Sequence, residues 1–233
     1  MLDQELRLLK ERFLQPLVGR IARLGLTPNQ LTLISFVLGI LAGHFCLEGR
    51  LNTALVLWWL NRVVDGVDGA VARHLRRQTD FGGYLDIICD FIVYTTIPID
   101  LAFFQVTSAC SNATIDVPSR GCGFKAADGT SWGPLFWLLA SLSFLLGTYF
   151  INAASLFMLG GILEKRNLGA QTRGEKTTLT MPVGLIEGTE TIIFYSLFIA
   201  LPQHLTALFV LFGSLVAVTI LQRLRWAYRH LDN

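Results

Sequence analysis

Hydrophobic positions along the chain are gathered into long runs that short polar segments separate. Several runs approach or exceed about 18 residues, which is long enough for a helix to cross a hydrocarbon layer of about 30 Å. The pattern therefore predicts an all-α, polytopic membrane protein with a six-transmembrane-helix bundle. The predicted spans are 30–47, one that begins near Asn52, 83–106, 132–159, 179–201 and 204–221.

The first 25 residues follow a different pattern, with apolar side chains at helical spacing among charged ones. The apolar series is Leu2, Leu6, Leu9, Phe13, Leu14, Leu17 and Ile21. We expect residues 1–25 to form an amphipathic helix in the membrane interface; a solvated helix is the alternative. The predicted single domain, 1–233, thus comprises this helix, the six-span bundle over 26–222 and a cytoplasmic tail over 223–233.

Composition agrees with this architecture, because 52% of the 233 residues are hydrophobic and only 15% are charged. A net charge of +2 gives no reason to expect a nucleic-acid partner. Most lysines and arginines lie near the termini and in the second and fourth connections between spans. The positive-inside rule places those segments in the cytoplasm. Both termini and the polar run between spans 2 and 3 are therefore expected there.

The third connection, residues 107–131, would lie on the opposite side of the membrane. Cys110 and Cys122 both fall in it, and the sequence leaves open whether a disulfide joins them. Asn112 begins an N-x-T tripeptide, which matters as a glycosylation acceptor only in a eukaryotic host.

Aspartates interrupt the apolar pattern where span 2 ends and span 3 begins. Asp65 and Asp68 are three residues apart, and Asp86 and Asp90 are four apart, so each pair shares one helix face. Aspartate in a membrane segment is costly and usually functional. Two neighbouring antiparallel helices would aim all four carboxylates into one pocket.

Four neighbouring carboxylates need counter-charge, because like charges at short range disfavour ionisation. An all-carboxylate shell without His or Cys favours hard cations, so we predict one or two divalent cations, Mg²⁺ or Mn²⁺. Nearby glycines would let a phosphate approach the backbone, and Arg73 would neutralise its charge. These features favour metal-assisted phosphoryl transfer at the membrane–cytoplasm boundary. A cation or proton transporter is the alternative, because intramembrane carboxylates also serve transport.

The segment "DGVDGAVARHLRRQTDFGGYLDIICD" resembles the signature of the CDP-alcohol phosphotransferase, or CDP-alcohol phosphatidyltransferase, family. That signature is D-x2-D-G-x2-A-R-x8-G-x3-D-x3-D, and its positions are filled by Asp65, Asp68, Gly69, Ala72, Arg73, Gly82, Asp86 and Asp90. The "TPNQLT" segment at the start of span 1 is also similar to the family. The resemblance implies an enzyme that moves a phosphatidyl group from CDP-diacylglycerol to a small alcohol and releases CMP.

The resemblance also implies residue roles. Asp65, Asp68 and Asp86 would ligate two metal ions, while Asp90 would touch a metal and act as the base toward the acceptor hydroxyl. The CDP moiety would lie among Asn29, Asp65, Gly69, Arg73, Thr79 and Gly82. Family members are usually homodimers with an interfacial N-terminal helix, so a homodimer is expected.

Two features bear on the acceptor and point in different directions. A phosphate on the acceptor would suit the basic residues of the fourth connection, Lys165, Arg166, Arg173 and Lys176. A cationic head group or a polyol would suit Glu187 and Glu190. For the basic residues, the alternative is ordinary positive-inside charge. For the glutamates, the alternative is pairing with an arginine such as Arg62. We expect a phosphorylated polyol, with glycerol 3-phosphate first; a free polyol or amino alcohol such as inositol or choline is the alternative.

Overall fold

A computed structural model describes residues 18–19, 25–112, 133–167 and 184–231. The prediction of an all-α protein is confirmed within these ranges, because a short 3₁₀ turn at Pro202–His204 is the one ordered element in them that is not α-helical. The main helices are α1 (Pro28–Leu47), α2 (Leu51–His74), α3 (Asp80–Asn112), α4 (Pro134–Lys165), α5 (Gly188–Ala200) and α6 (Leu205–Leu231).

Several sequence-based expectations fall outside this part of the chain. The predicted interfacial helix over 1–25 lies almost entirely outside the described residues. The pairing of Cys110 with Cys122, the tripeptide that begins at Asn112, and the acceptor role of Arg173 and Lys176 also rest on residues outside them.

The first helix begins at a capping box that the "TPNQLT" segment encodes. Thr27 Oγ1 accepts a hydrogen bond from the Gln30 amide at 3.3 Å, and Gln30 Oε1 accepts one from the Thr27 amide at 2.9 Å. Pro28 follows the cap, where its missing amide hydrogen removes no helical bond. These contacts satisfy amides that a helix start otherwise leaves unpaired.

The connection between α2 and α3 is short and closed by local hydrogen bonds. The Arg77 amide donates to the Ala72 carbonyl at 2.9 Å, and Arg76 takes a left-handed conformation at φ 52°. Thr79 then caps α3, since its Oγ1 accepts from the Gly82 amide at 3.0 Å. The tight turn sends α3 back along α2 and brings the end of one helix beside the start of the other.

Four helical stretches are long and apolar enough to cross a membrane, counting only the described residues. They are Pro28–Leu47, Asp80–Ala109, Pro134–Lys165 and Pro202–Leu231. The helix α2 has 24 residues but carries four charged residues from Arg62 onward, and α5 has only 13 residues, about 20 Å of helix. Length and composition therefore support four of the six predicted spans.

Two predicted helix boundaries differ from the structure. The fifth span was expected to begin near residue 179, but α5 begins at Gly188 because the Glu187 side chain caps it there. The sixth span was expected to end at residue 221, but α6 continues to Leu231. The segment predicted as a tail is thus helical through residue 231, and the arginines within it lie on a helix.

The helices form two groups that are joined by α5 and by a contact between α3 and α4. One group has α1 packed against α2 and α3, and the other has α4 packed against α6; α5 contacts α2, α3 and α6. Close approach of α1 and α3 depends on Gly39, where an added Cβ would lie 2.5 Å from a Val93 methyl carbon. Between α1 and α2, Asn61 Nδ2 donates to the Ser35 carbonyl at 2.7 Å. These contacts fix the frame that carries the aspartates.

An aromatic cluster fills the space where the two groups meet. Its fully buried members are Trp58, Tyr195, Phe198, Phe209 and Phe212. Trp58 stacks on Tyr195 with ring centroids 5.3 Å apart, and Phe198 meets Phe209 edge to face at 5.0 Å. Such contacts favour one helix arrangement in a bilayer, where lipid competes for apolar surface and close packing drives association.

Candidate active site

Three carboxylates converge where α2 ends and α3 begins. Asp65, Asp68 and Asp86 each offer one oxygen atom, and these atoms lie within 4.8 Å of one another. The prediction that two adjacent helices aim their acidic residues at one place is therefore confirmed for these three. Asp90 lies one turn further along α3 and is not a member of this group, as far as the described residues show.

Asp68 is the most firmly held of the three acids. It is buried, its Oδ2 accepts a hydrogen bond from Thr32 Oγ1 at 2.8 Å, and its Oδ1 accepts one from the Gly69 amide. Sequence analysis missed Thr32, although it ends the "TPNQLT" segment. Hydrogen bonds of this kind orient a metal-ligating carboxylate and are typical of metal sites.

Asp86 supplies the clearest sign that the acidic group holds a ligand. Its Oδ1 is buried and has no hydrogen-bond partner among the described residues. A buried acceptor without a partner is costly, and a charged one more so. The donor set consists of carboxylate oxygens alone, which suits Mg²⁺ or Mn²⁺ better than Zn²⁺. The residues therefore fit the divalent cation that the sequence predicts.

Asp90 is paired with a buried arginine. Arg62 Nη2 donates to Asp90 Oδ1 at 2.8 Å, and Arg62 Nη1 lies 3.6 Å from Asp65 Oδ2. The side chain of Arg62 is only 4% exposed, against 28% for Asp90. The suggestion that Arg62 pairs with Glu187 or Glu190 is wrong: its ion pairs are with aspartates, because Arg62 lies one turn before Asp65 on the same face of α2.

The residues expected around CDP lie beside the acidic group. A Cβ added at Gly82 would lie 3.0 Å from both Asn29 Oδ1 and Thr79 Oγ1, so these three residues adjoin one another. On α2, a Cβ added at Gly69 would lie 3.4 Å from Arg73 Nη1, and the Arg73 side chain is exposed. The two small residues leave room on a surface that carries an amide, a hydroxyl and a guanidinium, which are groups that bind a nucleotide diphosphate.

The residues expected to bind the acceptor divide into two sets. Lys165 ends α4 and Arg166 follows as its C-cap, and both are exposed. Glu187 and Glu190 instead form a capping box at the start of α5. Glu190 Oε2 accepts from the Glu187 amide at 3.1 Å, and Glu187 Oε1 accepts from the Gly184 amide at 3.3 Å. Both glutamates thus have a structural partner, while their role toward the acceptor stays a prediction.

One further buried cation escaped sequence analysis as a site residue. Arg223 on α6 is 6% exposed, and its Nη1 donates to Asn152 Oδ1 at 2.6 Å. Its Nε is buried and has no hydrogen-bond partner among the described residues. Nothing in the sequence distinguishes it from the neighbouring Arg225 and Arg229 at the same end of α6.

The chain is similar to known proteins along nearly its whole length. A family model described as CDP-alcohol phosphatidyltransferase matches residues 25–219. The inner membrane protein YnjF of Escherichia coli is 32% identical over 98% of this chain and 96% of its own length. A phosphatidylinositol phosphate synthase of Corynebacterium glutamicum is 29% identical over 77% of this chain and 65% of its own length.

Solved structures share the fold. The phosphatidylinositol phosphate synthase PgsA1 of Mycobacterium tuberculosis, in a crystal structure with CDP-DAG bound, superposes with a TM-score of 0.58 at 21% identity, over 92% of each chain. A second crystal structure of that enzyme, in complex with manganese and citrate, gives 0.57 at 20% identity over 91% of this chain and 88% of that one.

Proposed function

Because this chain belongs to the CDP-alcohol phosphatidyltransferase family, we propose that it transfers a phosphatidyl group from CDP-diacylglycerol to a small alcohol and releases CMP. The convergence of Asp65, Asp68 and Asp86 oxygens within 4.8 Å carries this proposal. The same three residues are the first three aspartates of the family signature. Family membership favours this enzyme over the transporter that acidic residues alone would also allow.

In this proposal Asp65, Asp68 and Asp86 hold two Mg²⁺ or Mn²⁺ ions, and Asp90 is the fourth acid that touches a metal. Bound divalent cations would polarise the attacked phosphate and offset the charge that develops on the departing CMP. The chain's own contribution is to fix the ligands. Thr32 orients Asp68, and the tight α2–α3 connection sets the distance between the two acidic helix segments.

Asp90 acts as the general base. One of its oxygens, Oδ1, accepts from Arg62, so Oδ2 is the atom we assign to the acceptor hydroxyl. Asp90 Oδ2 takes the hydroxyl proton while the acceptor oxygen bonds to the lipid-side phosphorus. The bond from that phosphorus to the bridging oxygen breaks, and CMP leaves with the electron pair.

The donor lies with its nucleotide at the helix ends and its acyl chains in lipid. Asn29, Thr79 and Gly82 form one side of the CDP site, and Gly69 and Arg73 form the other, with Asp65 between them. Support for this placement comes from the space left at the two glycines and from the exposure of Arg73. An amphiphilic donor requires such a site at the boundary of bilayer and cytoplasm.

The proposed acceptor is a phosphorylated polyol, and inositol phosphate is now favoured over glycerol 3-phosphate. The C. glutamicum relative and the M. tuberculosis neighbour are both phosphatidylinositol phosphate synthases by name. Lys165 and Arg166 offer exposed positive charge, and Arg223 offers a buried guanidinium whose Nε has no partner within the described part of the chain. A guanidinium with spare donors suits a phosphate.

The topology we propose keeps all six helices as spans, with α2 and α5 included. Basic residues gather at one end of the bundle, where Arg73, Lys165, Arg166, Arg225 and Arg229 lie. By the positive-inside rule this end, with both termini and the active site, faces the cytoplasm. We also keep as proposals the single domain over 1–233, its interfacial helix over 1–25 and a homodimer.

A panel of acceptors tests the function. The purified chain is incubated in detergent with CDP-diacylglycerol, Mn²⁺ and one alcohol at a time: inositol phosphate, glycerol 3-phosphate, inositol, choline or none. We expect CMP release and a new lipid product with inositol phosphate, and loss of both when a chelator removes the metal. CMP release only with free inositol or choline would overturn the proposal that the acceptor carries a phosphate. No CMP release with any alcohol would count against the proposed transferase activity.

A further inference from the structure

The buried guanidinium of Arg223 has one edge that is not paired within the described part of the chain. Nη1 donates to Asn152 Oδ1 at 2.6 Å and to the Asn152 carbonyl at 3.4 Å, and the hydrogen bonds among the described residues engage no other atom of the guanidinium. Nε is buried without a partner there. Because Nε and Nη2 form the edge that faces away from Nη1, this edge is available to two oxygen atoms of one anionic group.

The charges around Arg223 are few. The segment before α5 is docked on α6, where the Ile186 amide donates to Thr219 Oγ1 at 3.0 Å. The carboxylate of Glu187, the next residue, is close enough for its charge to act on Arg223. Asn152 contributes a neutral amide. The described part of this site therefore has one cation, which is opposed by one carboxylate.

Asn152 and Asp90 lie at a similar depth in the bundle. Two aromatic contacts between α3 and α4 set this depth, with ring centroids 5.9 Å apart for Phe91–Phe157 and 6.4 Å apart for Tyr94–Tyr149. Asn152 lies between the two α4 rings along the chain, and Asp90 directly precedes the first α3 ring. The two residues therefore differ in depth by about one helical turn, about 5 Å.

The exposed residues Lys165 and Arg166 lie too far from this depth to bind the same anion. They are at the end of α4, about 20 Å beyond Asn152 along the helix axis. We propose that Asn152 determines acceptor specificity as a positioning residue: it takes Nη1 and so presents the Nε–Nη2 edge of Arg223 to the anionic group of the acceptor, while adding no second cation. The inference rests on the proposed function, because it assumes a phosphorylated acceptor.

The Asn152→Asp variant separates charge from shape at this position. The new carboxylate still accepts from Nη1, so thermal stability should equal or exceed that of the wild type, whereas its charge neutralises Arg223. In calorimetric titrations of the detergent-purified chain with Mn²⁺ present, inositol phosphate should bind at least about tenfold more weakly and free inositol should bind as before.

The kinetic readout of the same variant distinguishes positioning from a structural role. In the CMP-release assay, KM for inositol phosphate should rise by at least about tenfold, while kcat and KM for CDP-diacylglycerol stay within about twofold of the wild type. An asparagine with only a structural role would instead lower thermal stability and kcat when replaced.

Two control variants accompany this test. Asn52→Asp is the matched substitution, because Asn52 is exposed at the start of α2, and it should change none of these quantities. Replacing Lys165 and Arg166 together by Gln should weaken inositol phosphate binding by less than about threefold, because these charges are exposed and distant. Equal losses in this double variant and in Asn152→Asp, or wild-type binding by Asn152→Asp, would overturn the proposal.

A second variant decides the question if Asn152→Asp does not fold. Arg223→Lys keeps the positive charge but lacks the two-donor edge, so inositol phosphate should bind at least about fivefold more weakly. Wild-type affinity in Arg223→Lys would overturn the proposal, as would absence of inositol phosphate binding by the wild-type chain.

The proposed function and this inference fail in distinguishable ways. If the wild-type chain bound inositol phosphate and Asn152→Asp weakened that binding, but no alcohol gave CMP release, the site would stand and the transferase activity would not. If CMP were released and KM for inositol phosphate were unchanged in Asn152→Asp, the activity would stand and the role of Asn152 would not.

Discussion

Two acidic pairs with the same spacing have opposite surroundings in this protein. Asp65 and Asp68 lie in the second half of α2, where their oxygens face Asp86 on the neighbouring helix α3. Glu187 and Glu190 lie at the start of α5, where their oxygens accept hydrogen bonds from backbone amides of the same segment. The first pair forms a group of negative charge with an acid from a neighbouring helix. The second pair finds its hydrogen-bond donors within its own segment of the chain.

The difference follows from which end of a helix carries the acids. A helix start offers unpaired amides and the positive end of the helix dipole, so carboxylates there need no cation. Toward the end of α2 neither compensation exists, and the group of three acids depends on Thr32, the Gly69 amide, the Arg62 guanidinium beside Asp65 and an external cation. Spacing alone therefore does not distinguish a metal site from a helix cap; position relative to the helix ends does.

The largest effect that follows from this contrast is expected at Asp68. Replacing Asp68 by Ala removes a metal ligand and leaves the Thr32 hydroxyl only the Pro28 carbonyl at 3.2 Å as acceptor, so CMP release should fall below detection and Mn²⁺ binding should weaken. Asp80→Ala is the control, because Asp80 is exposed at the start of α3 and lies outside the acidic group. Equal losses in both variants would show that the acidic group is not what distinguishes this end of the bundle.

A smaller but still large effect is expected at Asp90. The Asp90→Asn variant keeps the shape of the side chain but removes the base, so kcat should fall by about 10²–10⁴-fold. Mn²⁺ binding should survive, because Asp65, Asp68 and Asp86 remain. Full activity in this variant would assign the base to another residue.

The smallest effect is expected at the cap of α5. Glu190→Ala should lower the free energy of unfolding by about 1 kcal/mol, since the Glu187 amide loses its acceptor. Glu190→Gln keeps an oxygen that reaches the same amide, so its thermal stability should match the wild type. KM for the acceptor should be unchanged in the Gln variant; a several-fold rise without loss of stability would give Glu190 the acceptor role that its sequence position also suggested.

Hydrophobic periodicity was sufficient to predict the all-α class, and the spacing of the signature was sufficient to predict that three aspartates converge. Both predictions depend on local spacing in the sequence. The residues that hold the site were less visible. Thr32, Arg62 and Arg223 take their roles from partners that lie 36, 28 and 71 positions away in sequence. A single sequence does not reveal such pairs, since nothing local marks an arginine as the neighbour of one acid rather than another.

The predicted start of α5 was wrong, and the helical continuation of α6 was not predicted, for a related reason. Hydropathy extended the fifth span over residues 179–201, whereas the helix begins at Gly188 because a glutamate, rather than the more common serine or threonine, forms its capping box. Hydropathy ended the sixth span at residue 221, whereas α6 continues to Leu231 because arginines at a membrane surface are compatible with helix.

The length of α3 has a consequence for the medium in which the chemistry takes place. Its 33 residues extend about 50 Å, roughly 20 Å more than the hydrocarbon layer of a bilayer. The surplus lets the first turns, with Asp86 and Asp90, stand in the hydrated headgroup zone while the remainder still reaches the far leaflet. In the proposed topology, bilayer thickness would then set how much water reaches the acidic residues, and a thicker membrane would draw them toward the hydrocarbon layer.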